Sequence, residues 1–141
     1  MNNTTEIKLS DFIKENEITM TVNQRGVNPF MNDSKFPMDH YRVCLQVITE
    51  GSHRSYTTYF SKGMGHNGAE PTTEEVLDCL ASDSAGIENE GSFENWAGGY
   101  GYEEDRKARR IYQACCRVSE RLKRLLGQDR YNTLLWNIER E

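Results

Sequence analysis

Gly63-Met64-Gly65-His66-Asn67-Gly68, GMGHNG, separates two halves of the chain with different hydrophobic periods. It spells G-x-G-x-x-G, the glycine pattern of dinucleotide-binding turns. A strand-like run, Tyr56 to Ser61, precedes it, and a helix-like run, Thr72 to Ser82, follows. In a dinucleotide fold a second parallel strand must come after that first helix, because the cofactor lies across neighbouring strand ends. No strand-like segment follows Gly68. The helix also starts beyond the third glycine, so the pyrophosphate would miss the helix N-terminus that should hold it. Lys62 does not occupy a P-loop position, and there is no G-K-[ST]. The run therefore reads as a connection between a strand and a helix, in which the glycines and Asn67 take positive φ. His66 and Asn67 at its tip remain candidate contact residues, since loops often carry function.

Upstream of the loop the pattern has period two. Ile18, Met20 and Val22 alternate with threonines. Tyr41, Val43, Leu45 and Val47 form a second alternating run, and Tyr56, Thr58 and Phe60 a third. Alternation of this kind marks half-buried strands. Gly51-Ser52 suits a two-residue turn of type II′ between the last two. Ahead of the strands, Ser10 is placed to cap a short helix over DFIKENE, with Leu9 and Ile13 as its apolar contacts.

Downstream the period is helical. Thr72 and Glu75 form a capping box. Val76, Leu77 and Leu80 give the helix behind it an apolar stripe. Ser92 opens a short helix carrying Phe93 and Trp96, with Gly98-Gly99 expected to stop it. A long helix is expected from about Glu103, with Ala108, Ile111, Cys115, Val118, Leu122 and Leu125 as its seam and Gly127 as its end. Asp129 opens a last helix with Tyr131, Leu134, Leu135 and Ile138 on one face. Strands first and helices after give an α+β fold: a three-stranded antiparallel sheet in the N-terminal half, packed against three to four C-terminal helices. We expect one domain over 1–141, with a loose segment at 1–16, strands at 17–62 and helices at 72–141.

The chain has 141 residues, 36% of them apolar and 10% aromatic. Its mean hydropathy is −0.79. That composition predicts a small aromatic core under a wet surface. No apolar run reaches the length of a membrane span. MNNTTEIKLS lacks the pattern of a signal peptide. The four cysteines, two of them adjacent at Cys115-Cys116, do not form a secreted disulfide framework. A reducing, cytoplasmic setting is the expectation. His40, His53, His66, Cys44 and Cys79 lack zinc-site spacing, so no metal and no cofactor are expected. Cys79 and Cys115 read as small buried hydrophobes.

Net charge is −5, which argues against direct contact with nucleic acid. Its distribution is more informative. From Ala69 through Asp105 there are eleven acids, Glu88, Glu90, Glu94, Glu103, Glu104 and Asp105 among them, and no Lys or Arg. From Arg106 to Arg124 eight bases oppose the single acid Glu120. One account is intramolecular, with the basic helix folded against acidic loops. The other is a surface that imitates a phosphate backbone or docks on a protein that binds one. Trp96, Tyr100 and Tyr102 lie among those acids and offer either a recognition patch or a homodimer interface.

The motifs FSKGMGHNG (Phe60 to Gly68), VLDCLASD (Val76 to Asp83) and YGYEEDRKA (Tyr100 to Ala108) resemble a family of short proteins carried by phages, prophages and other mobile elements. The likeness runs from about Asp39 onward. It transfers no activity, but it implies a mobile-element setting and a bacterial host cytoplasm. Small acidic proteins of that kind include inhibitors of host defence such as anti-CRISPR proteins. The expectation is thus a non-enzymatic inhibitor of a host nucleic-acid-binding complex, a CRISPR effector for example. Its contact residues would be Glu88, Glu90, Glu94, Trp96, Tyr100, Tyr102, Glu103, Glu104 and Asp105, with His66 and Asn67. The alternatives are an accessory protein holding nucleic acid on Arg106, Lys107, Arg109 and Arg110, and a small ligand- or metal-binding protein at Gly63–Gly68.

Overall fold

The computed structural model describes residues 7–25, 39–49, 51–62 and 70–138. The GMGHNG loop, with His66 and Asn67, lies outside them.

Three strands, β1 (Ile18–Arg25), β2 (Asp39–Thr49) and β3 (Ser52–Lys62), form an antiparallel meander in the order β1-β2-β3. The fold is α+β, as the two periods predict. Period two buries Tyr41, Val43, Leu45 and Val47 of β2 on one face. Each such side chain contributes roughly 1.5–3 kcal/mol when removed from water. The opposite face of the sheet carries Thr19, Thr21, Arg42, Ser55, Thr57 and Tyr59 and stays exposed. Thr49 pairs with Ser52, so Ser52 belongs to β3 and Gly51-Ser52 is not the centre of the turn. Gly51 itself has a positive φ of 75°.

The described residues hold five helices, which follow the periodic stripes. In α1 (Leu9–Glu15) the residue before the helix is Lys8, with no side-chain cap; Ser10 lies inside the first turn instead of capping it. Phe12 is the buried residue of α1, with Leu9 and Ile13 packed beside it. In α2 (Thr73–Glu90) both bonds of the Thr72–Glu75 capping box are made. Helix α3 (Phe93–Tyr100) runs through Gly98-Gly99 and stops at Gly101, whose φ of 77° closes it. Two glycines weaken a helix by about 1 kcal/mol each relative to alanine, but tertiary packing of Phe93 and Trp96 overrides that local cost. Helix α4 (Arg106–Leu126) starts at Arg106, with Asp105 as its cap, rather than near Glu103. Gly127 ends α4 and directly precedes α5 (Gln128–Trp136), so Asp129 sits in the first turn of α5.

The main core lies between the inner face of the sheet and α1, α2, α4 and α5. Its α4 contribution includes Leu122, Leu125 and Leu126. A second, smaller cluster of Phe93, Trp96, Ala97 and Ala108 fixes α3 against α4. Cys115 packs on this second cluster, whereas Cys79 is exposed and is not the buried hydrophobe its position suggests. Among the described residues no helix is long and apolar enough to cross a membrane.

Candidate functional site: an acidic, aromatic face on α2 and α3

The acid-only segment folds into α2, α3 and the turn before α4. The end of α3 is shaped by its glycine. Gly101 takes the left-handed conformation, and the Tyr102 amide donates back to the Ala97 carbonyl at 2.8 Å. This is the six-to-one bond of a Schellman motif, which brings the residue after the glycine over the last helical turn. Tyr102 accordingly stacks flat on Trp96, with ring centroids 5.1 Å apart and planes 9° apart. Tyr100 leans on the indole as well, with ring centroids 5.6 Å apart and planes tilted by 45°.

Trp96 is therefore 4% exposed and is a base for the tyrosines, not a contact residue. Tyr100 and Tyr102, at 56% and 41% exposed, form the surface. Beneath them Phe93 and Trp96 meet Tyr112 of α4 edge-on, each at 5.4 Å. The Arg109 guanidinium lies 4.2 Å over the Phe93 ring. The helical position that admits Tyr100 is Gly86 in α2. A Cβ built there would come within 2.5 Å of the Tyr100 hydroxyl. A glycine inside a helix is the signal in the sequence that marks this packing site.

Glu103 and Glu104 follow Tyr102 directly and are exposed, as is Glu94 in the first turn of α3. Glu90 reaches back toward Gly99, where its carboxylate would lie 3.4 Å from an added Cβ. The remaining acids of the predicted set have internal work. Asp105 accepts the Ala108 amide at 2.8 Å and caps α4. Glu88 accepts a hydrogen bond from Tyr131 (2.8 Å) and pairs with Lys123 at 3.2 Å, and the Ser119 hydroxyl lies 3.4 Å from the same carboxylate. Partial burial pushes the Glu88 carboxyl up, but these hydrogen bonds and the Lys123 charge outweigh it and hold the group below its usual range. Glu88 thus ties α2 to α4 and α5. To that extent the intramolecular account of the charge segregation holds.

One more acid stands out. Burial lifts the Asp83 carboxyl to about 6. Burial, with the Asp83 charge adding to it, pushes the Cys115 thiol up to about 12. A thiol held protonated is a poor nucleophile, so this cysteine is a packing residue. Among the described residues no three His, Cys, Asp or Glu side chains converge on a point.

No family model, curated protein or solved structure matches the chain.

Proposed function

We propose that the protein is a non-enzymatic binding protein of a phage or other mobile element, which docks on a nucleic-acid-binding defence complex of its host and inhibits it in the manner of an anti-CRISPR protein. The contact surface is the α2–α3 face, with Tyr100 and Tyr102 at its centre and Glu94, Glu103 and Glu104 around them. The observation that carries this reading is the exposed tyrosine pair seated on a buried tryptophan within a segment that holds eleven acids and no base. Rigid aromatic side chains supply contact area at low entropic cost, and tyrosine is enriched at interface hot spots. The acids around them suit a partner whose own surface is basic because it holds nucleic acid.

The test is inhibition of nucleic-acid cleavage by purified CRISPR effector complexes of several types, with binding followed in parallel at low and high salt. The reading expects one effector to be inhibited, with inhibition lost in Tyr100→Ala/Tyr102→Ala and weakened by salt and by neutralising Glu94, Glu103 and Glu104. Glu88→Gln, which touches an internal bond, should leave binding by the folded protein unchanged. An absence of binding to every effector, or binding indifferent to both tyrosines and all three acids, would overturn it.

A further inference from the structure

A second feature lies on different elements and shares no residue with the face described above. The edge of β3 and the C-terminal half of α4 enclose a groove of about 690 Å³, lined by Arg54, Ser55, Tyr56, Thr57, Arg121 and Arg124. Among the described residues that line it, three are arginines and none is an acid. Arg54 is held in place by donating from Nη1 to the Arg124 carbonyl at 3.3 Å, at the end of α4 where the helix dipole favours a cation. Arg121 lies 6.0 Å over the ring of Tyr56. Among the described residues no carboxylate pairs with Arg54, Arg121 or Arg124. Each guanidinium keeps several N–H donors for a ligand.

The groove is the end of a longer feature. Arg106, Arg110, Arg121 and Arg124 are exposed and, with 3.6 residues per turn, fall on one side of α4. From Arg106 to Arg124 that stripe runs about 27 Å at 1.5 Å per residue. At its far end β3 offers the hydroxyls of Ser55 and Thr57. Two residues further on the same outer face of the sheet stands Tyr59, 42% exposed, with Arg42 as its cross-strand neighbour. The net charge of −5 conceals this, because half of the 22 acids fall between Ala69 and Asp105, a segment without a base.

We propose that the groove binds the sugar–phosphate backbone of a single-stranded nucleic acid. Arg54, Arg121 and Arg124 hold successive phosphates, Ser55 and Thr57 add hydroxyl donors, and Tyr59 stacks on a base. A channel lined with cations beside an exposed aromatic ring is the arrangement that single strands need, since their bases are free to stack. A duplex would meet no projecting element here, for α4 is packed against the sheet along its apolar side.

The experiment is fluorescence anisotropy of a labelled single-stranded oligonucleotide with the intact protein over a salt series. Three phosphate contacts predict a slope of log K against log salt of about −2, which is roughly a 20-fold loss of affinity from about 50 to about 200 mM salt. Arg121→Ala/Arg124→Ala should reduce the slope to about −0.7. Tyr59→Ala should lower affinity about 5- to 100-fold and leave the slope alone. Each variant is first shown to melt cooperatively, and all three positions are exposed, so folding is expected to survive. The proposal is overturned by absence of binding at low salt, or by arginine variants that bind as the parent does. It is overturned equally by duplex bound as tightly as the single strand, or by a Tyr59 variant without effect, either of which would mark a general polyanion surface.

Discussion

The Tyr131 hydroxyl donates to Glu88 Oε2 at 2.8 Å and joins α5 to α2 across 43 positions of the chain. Ser119 of α4 lies 2.7 Å from the same hydroxyl, so three helices meet at one oxygen. The phenolic proton goes to the carboxylate, which can only accept. Ser119 is then the donor to Tyr131. Burial pushes the Tyr131 phenol up to about 12, with the Glu88 charge adding to it and the Ser119 bond opposing it, so the proton stays on Tyr131 at any physiological pH.

Removing that hydroxyl leaves Ser119 buried with a weaker partner. Tyr131→Phe should cost about 1–2 kcal/mol, read as a lower urea midpoint with an unchanged slope. The carboxylate end has a pH signature. Because the folded protein holds the Glu88 carboxyl below its usual range, its contribution is present above the unfolded value of about 4.3 and is lost as pH falls through the folded value. The stability gap between the parent and Glu88→Gln should therefore close on acidification. A gap that stays constant down to strong acid would mean that the pair is electrostatically idle.

Asp83 should behave in the opposite sense. Its folded value, about 6, lies above the unfolded one, so the fold favours the protonated form. Stability attributable to this group falls as pH rises from about 4 to about 6, since the native state there binds more protons than the unfolded chain. Asp83→Asn should consequently raise the melting temperature at neutral pH, by up to about 3 kcal/mol in stability, and lose its advantage below about pH 4. Thermal melts of both proteins at several pH values decide it.

Gly86→Ala separates the position of Tyr100 from the stability of the fold. The added methyl would meet the far end of a flexible, exposed side chain rather than backbone. Helix propensity then gains up to about 1 kcal/mol while Tyr100 swings aside. The expected result is an equal or higher melting temperature with altered Trp96 fluorescence. A large loss of stability would show that Tyr100 cannot move.

Trp96→Ala is predicted to remove the base of the aromatic face. A truncation of this size in a packed cluster costs about 3–5 kcal/mol. The second cluster should loosen, with Tyr100 and Tyr102 becoming mobile by NMR relaxation, while amides of β2 stay the most protected in hydrogen exchange. Equal loss of protection in β2 would mean that the two clusters unfold together.

The class of fold follows from hydrophobic periodicity alone. Period two over 18–22, 41–47 and 56–60, followed by period 3.6 beyond Thr72, leaves little choice but a meander covered by helices, because each element has one face to bury. The caps were legible too: Thr72 with Glu75, Ser92 and Gly127 act through bonds to residues a few positions away, which any reader of the chain can count. The ends set by packing were not legible. Gly98-Gly99 looks like a stop, yet α3 continues because Phe93 and Trp96 are held by Tyr112 on another helix. The fate of each charge also belonged to the tertiary structure. Glu88 and Glu94 look alike along the chain, but only the first meets Tyr131, Ser119 and Lys123. Arg54 is 67 positions from Arg121, and nothing local predicts that they line one groove. Electrostatic partners are chosen by distance in space, and that is fixed only when the apolar faces have closed on one another.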